Sequence, residues 1–68
     1  MKNNLRVERA ILNVSQQELA DKVGVTRATI NAIEKGKYAP SGTVLLKIAS
    51  ICGKRVEDIF ILEEKDWN

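Results

Sequence analysis

The chain has no histidine and only one cysteine, Cys52, among its 68 residues. A lone cysteine excludes an intramolecular disulfide, and without histidine there is no plausible all-protein zinc site. No nucleophile stands beside a base, so nothing meets the geometric needs of acid-base or covalent catalysis. An enzyme is therefore not expected, nor is a metal or a cofactor. No apolar run approaches the ~20 residues of a membrane span, and Met1 to Arg6 lack the apolar segment of a signal peptide. The chain is expected to be cytoplasmic, with no membrane partner. A single domain of this size buries only about 60% of its unfolded surface, so a second subunit would add to a marginal core.

What the chain does have is concentrated between Ser15 and Gly36. Ser15 followed three residues later by Glu18 is a capping box, in which each side chain takes the backbone amide of the other residue. A helix starts there, with Leu19, Ala20 and Val23 as its inner stripe and Val14 packing on Leu19 before it. Gly24 ends it, because a residue without Cβ tolerates the left-handed backbone found past a helix C-terminus. Thr26 caps the next helix, in which Ile30 and Ile33 face inward while Arg27, Ala28, Asn31 and Lys35 stay outside. A helix, a tight glycine-containing turn and a second helix with a polar outer face form a helix-turn-helix, whose second helix lies in the DNA major groove.

The run Ser15-Gln16-x-x-Leu19-Ala20, Gly24-Val25-Thr26-Arg27-x-Thr29-Ile30, Ile33-Glu34-x-Gly36, then Pro40-Ser41 and Lys47-Ile48-Ala49, resembles the phage Cro/C1 repressor-like DNA-binding domains, the XRE family. The likeness covers roughly residues 5 to 60. It implies an ion pair between Arg9 and Glu34, joining the first and third helices, and a phosphate contact from Gln16. It also implies an all-α fold, a compact five-helix phage-repressor-like domain over residues 1–60. Residues 61–68 then form a C-terminal extension, able to add a short strand or a dimerisation segment. The family usually carries a large apolar residue where this chain has Gly42, a departure that bears on the first turn of the fourth helix.

The first helix is expected from Asn3 or Asn4 to about Leu12. Its apolar residues Leu5, Val7, Ile11 and Leu12 do not form one clean stripe. After a loop ending at Pro40, Ser41 caps a helix to about Cys52, with Val44, Leu45, Ile48, Ala49, Ile51 and Cys52 inward and Lys47 and Ser50 outward. Gly53 stops it, and Val56, Ile59 and Phe60 read as one face of a final short helix. Two readings of Ile61 and Leu62 stay open: a strand pairing with the N-terminal residues, or an exposed patch buried between subunits. Trp67 is expected to fray with the terminus. Residues 1 to 55 carry ten Lys/Arg against four Asp/Glu, and residues 56 to 68 one Lys against five acids. The basic body suits phosphates, and the acidic tail is expected on the side away from DNA.

The function expected is that of a sequence-specific, double-stranded DNA-binding transcriptional regulator, a homodimeric repressor reading an inverted repeat through residues 27–35. Arg27, Ala28 and Asn31 are the candidate base contacts, since a guanidinium fits a guanine edge, a carboxamide an adenine edge and a methyl a thymine methyl. Gln16, Thr26, Thr29, Lys35, Lys37 and Tyr38 are candidate phosphate contacts near the helix ends. Ile61 and Leu62 are the candidate dimer interface. The alternatives are an antitoxin-like protein that binds a protein partner as well as DNA, and a restriction-modification controller.

Overall fold

Short polar side chains set where the helices begin. Ser15 accepts the amide of Glu18 and Glu18 accepts the amide of Ser15, both at 3.0 Å. Thr26 accepts from the amide of Thr29 at 3.1 Å, and Ser41 from that of Val44 at 3.4 Å. The computed structural model describes residues 1–68 and runs β1 (Lys2–Asn3), α1 (Leu5–Leu12), α2 (Gln16–Val23), α3 (Arg27–Glu34), α4 (Gly42–Cys52), α5 (Val56–Ile59) and β2 (Phe60–Ile61). A 3₁₀ turn over Glu64–Trp67 follows. No helix is long and apolar enough to cross a membrane.

The core joins Leu5 of α1, Leu19, Ala20 and Val23 of α2, and Ile30 and Ile33 of α3 to Ile48, Ala49, Ile59 and Phe60. Burying each large aliphatic side chain contributes about 1.5–3 kcal/mol, and this set comes from every helix, so no helix pair folds apart from the rest. The α2–α3 unit is held on this core from both ends. Lys47, outward on α4, donates its ammonium to the Val23 carbonyl at 3.3 Å and so caps the end of α2. Asn3 donates its amide to the Ile33 carbonyl at 2.8 Å while its Oδ1 accepts the Leu5 amide at 3.1 Å, linking the last turn of α3 to the start of α1. Asn4 occupies the cap position of α1 without a capping bond. Its main-chain and side-chain N–H groups donate instead to the carbonyls of Ile59 and Asp58.

The C-terminal third departs from the helical reading at one residue. Phe60 is buried, but as a strand residue: β2 pairs antiparallel with β1, Asn3 opposite Phe60 and Lys2 opposite Ile61. Successive strand side chains point to opposite faces, so Phe60 enters the core and Ile61 is left 52% exposed. The strand reading therefore holds for Ile61 but not for Leu62, which follows the strand. The acidic tail does not fray either. The Met1 amino group lies 3.0 Å from carboxylate oxygens of both Glu63 and Asp66, and the Glu63 amide donates to Asp66 at 2.8 Å. Trp67 still packs on nothing, at 76% exposure. Pairing of the two chain ends also sets the tail beside the C-terminal end of α3, where Glu63 and Lys65 share a cleft with Lys35 and Gly36. The expectation of a tail on the far side of the molecule is corrected accordingly.

One ion pair with a buried carboxylate carries no sequence signal. Glu8 of α1 is 3% exposed and accepts from the Lys54 ammonium at 2.8 Å, across a separation of 46 residues. Burial first, and the neighbouring Glu8 carboxylate second, push the Cys52 thiol above its ordinary pKa. This keeps it protonated and unreactive at neutral pH.

Gly24 and Gly42 have opposite backbone demands although a Cβ would meet nothing within 4 Å at either. Gly24 sits at φ +87°, whereas Gly42 opens α4 behind its Ser41 cap in ordinary helical geometry. Gly24→Ala should cost about 1–2 kcal/mol from the left-handed backbone alone. Gly42→Ala should stabilise by up to about 1 kcal/mol by lowering unfolded-chain entropy. Urea midpoints of the two variants should move in opposite directions.

Candidate nucleic-acid interface

The turn Gly24–Thr26 presents α3 on the surface. With Ile30 and Ile33 buried, rotation of 100° per residue places Ala28 and Lys35 directly outward, Asn31 and Ala32 beside them, and Arg27 at the flank. Arg27, Ala28 and Lys35 are exposed, and Asn31, Ala32 and Thr29 half-buried. The Thr26 and Thr29 hydroxyls lie 2.9 Å apart and satisfy one another at the start of the helix. Lys37 and Tyr38 are exposed in the loop after Gly36.

A polar network fixes how α3 stands against the other helices. Arg9 of α1 donates from Nε and Nη2 to both carboxylate oxygens of Glu34, the second bond at 3.2 Å. Its Nη1 donates to the Val14 carbonyl in the α1–α2 turn at 3.0 Å. These bonds to Glu34 hold the guanidinium above its already high pKa. The Glu34 side chain is 7% exposed, and its Oε1 also accepts the Gln16 amide at 3.2 Å. Gln16 Oε1 in turn receives the Asn31 amide at 3.5 Å. Four side chains from three helices therefore lie in one line, ending on the outward face of α3. Asn31 has one amide hydrogen directed at Gln16 and keeps its carbonyl and second hydrogen free.

Pairing of the remaining charges is uneven. Of the eleven Lys and Arg side chains, Arg9, Lys54, Arg55 and Lys65 face carboxylates. The other seven, Lys2, Arg6, Lys22, Arg27, Lys35, Lys37 and Lys47, form no ion pair, although Lys2 and Lys35 line a cleft with Glu63. Each of the four acids before residue 56 is already engaged: Glu8 by Lys54, Glu18 in its capping box, Asp21 by the Gln17 amide and Glu34 by Arg9. The charge left available to a partner on the body is positive. Sequence reasoning passed over Arg6, which lies one turn before Arg9 on α1 and lines a cleft with Gln16, Asn31 and Lys35. The signal was the three-residue spacing to Arg9. The candidate interface residues Ile61 and Leu62 lie apart from this cleft, 52% and 58% exposed.

The helix-turn-helix family model matches residues 5–59 of the chain. The chain belongs to the Cro/C1-type helix-turn-helix family. Among its relatives, an uncharacterized HTH-type transcriptional regulator of Methanocaldococcus jannaschii is 53% identical over 66 residues, covering 97% of this chain and 100% of the relative. An uncharacterized HTH-type transcriptional regulator of Bacillus subtilis, YgzD, is 47% identical over 66 residues, with coverages of 97% and 100%. Among solved structures, the P22 c2 repressor protein in complex with a synthetic operator superposes with a TM-score of 0.75. It is 26% identical, over 78% of this chain and 80% of that one. The shared architecture is the five-helix repressor-like domain, here carrying the β1–β2 pair at its ends.

Within this helix-turn-helix domain, removing Arg9 strands a nearly buried carboxylate. Arg9→Ala should cost roughly 2–4 kcal/mol, below the fully buried limit because the guanidinium keeps one edge in water. The double variant Arg9→Ala/Glu34→Ala should be more stable than the two single losses added together predict. A denaturation cycle measures this difference, and additivity would show that the two side chains act independently.

Proposed function

We propose that this helix-turn-helix protein is a sequence-specific double-stranded DNA-binding regulator that acts in the cytoplasm as a homodimeric repressor. The observation that carries this reading is the outward face of α3. It offers Arg27, Ala28 and Asn31 on a body whose carboxylates are all engaged and whose free charge is cationic. The likeness to the P22 c2 repressor, solved on an operator, supports the same docking of α3 in the major groove. Arg27 and Asn31 read base edges, Ala28 meets a thymine methyl, and Gln16, Thr26, Thr29, Lys35, Lys37 and Tyr38 hold the phosphate backbone. Residues 1–60 bind DNA, and the segment 61–68 contributes Ile61 and Leu62 to contact with a second copy.

A single copy reads only one half-site, too few base pairs to stand out among competing genomic sites, so two copies in successive major grooves read an inverted repeat. Repression then follows from occlusion of a promoter. Selection of bound duplexes from a randomised pool, at stated salt, should enrich an inverted repeat with half-site centres one helical turn apart. Arg27→Ala should cost about 1–3 kcal/mol on that site and relax one position per half-site. Salt-sensitive binding with no enriched sequence would shift the reading to an antitoxin-like, partner-binding protein. For the dimer, Leu62→Asp places a charge in the exposed C-terminal patch and should shift sedimentation toward the monomer. A persistent dimer would locate the interface elsewhere.

A further inference from the structure

The cleft between α1, α2 and α3 holds a charge imbalance in which Arg6, assigned no contact so far, stands with Lys35. It is lined by Arg6, Arg9, Gln16, Asn31, Glu34 and Lys35, encloses about 310 Å³ and has no hydrophobic residue in its wall. Its one carboxylate, Glu34, already takes both Arg9 donors and the Gln16 amide. Arg9 and Glu34 cancel each other and act as a neutral frame. Arg6 and Lys35 remain, one from α1 and one from the end of α3, each exposed and neither in an ion pair. Two cations without ion-pair partners at one polar cleft make a site of positive potential suited to an anion. On the other side of Lys35 the balance differs, because the cleft there also carries Glu63 of the tail.

We infer that the Arg6–Lys35 cleft binds a phosphate of the DNA backbone, which makes α1 a third DNA-contacting helix of the domain. This rests on the DNA-binding reading above. The same cleft contains Gln16, at the start of α2, and Asn31, on the outward face of α3, so a backbone passing α3 crosses it. The guanidinium of Arg6 can hold a phosphate bidentately, while Lys35 acts as a point charge. The network from Arg9 to Asn31 keeps the polar wall in place before DNA arrives, so little side-chain ordering remains to oppose binding.

The test compares the full chain with Arg6→Ala and Arg6→Lys, each titrated with the selected operator and with an unrelated duplex of equal length at several salt concentrations. Arg6→Ala should lower the slope of log affinity against log salt by about 0.9 per chain and weaken both duplexes by the same factor. Arg6→Lys should retain the wild-type slope. Thermal midpoints of both variants should match the wild type, since Arg6 is exposed and its side chain forms no hydrogen bond or ion pair within the fold. An unchanged slope for Arg6→Ala, with the wild type binding normally, overturns the phosphate site and leaves the DNA-binding reading intact. Loss confined to one operator base pair overturns it in favour of base readout. A wild-type chain that binds neither duplex removes the DNA-binding reading and this proposal with it.

Discussion

The orientation of α3 depends on the Arg9–Glu34 pair. Two eight-residue helices joined by a three-residue turn have little intrinsic rigidity, and their apolar contacts through Leu19, Val23, Ile30 and Ile33 are non-directional. Hydrophobic burial sets which face of α3 turns inward. A guanidinium with three donors in a plane adds a directional restraint: two bonds reach Glu34 on α3, and a third reaches the Val14 carbonyl at the turn into α2. Gln16 and Asn31 extend this directional restraint to the outward face of α3.

The rest of the small fold supports the same arrangement from its ends. Asn3 ties the last turn of α3 to the N-terminal strand, and Lys47 ties the last turn of α2 to α4. Carbonyls at helix C-termini run short of intrahelical partners: Lys47 satisfies that of Val23, and Asn3 adds a second bond to that of Ile33, which also accepts the Gly36 amide. Pairing of β1 with β2 then closes the chain on itself and seats Phe60 under the helices. It leaves Ile61, Leu62 and Trp67 in solvent, alongside exposed Val7, Ile11 and Leu46 elsewhere on the helices.

Charge is partitioned by the same packing. The acids of the body are used within the molecule, in a cap, in a helix-surface hydrogen bond, in the interhelical Arg9–Glu34 pair and in the pair of Glu8 with Lys54 of the α4–α5 turn. Most of its cations are not. A net charge of +2 therefore conceals a surface with far more free positive than free negative charge around α3. The acidic tail borders this surface beside Lys35, a placement that follows from strand pairing and that no count of charges along the chain reveals.

Local chemistry made much of this legible in the sequence. The capping box at Ser15, the caps at Thr26 and Ser41, the left-handed Gly24 and the inward stripes of α2, α3 and α4 all depend on residues within four positions of each other. Short-range hydrogen bonds and helical period suffice to specify them. The family likeness pointed to Arg9 and Glu34, residues that spacing alone does not connect. Phe60 was misassigned to a helix because its burial is the same in either geometry, and only its pairing with Asn3, 57 positions away, makes it a strand residue. The Glu8–Lys54 pair, the path of the acidic tail and the joining of Arg6 to Lys35 depend on contacts between distant segments. Tertiary packing alone decided them, because which charges lie close enough to pair or to share an anion is set by where the helices cross.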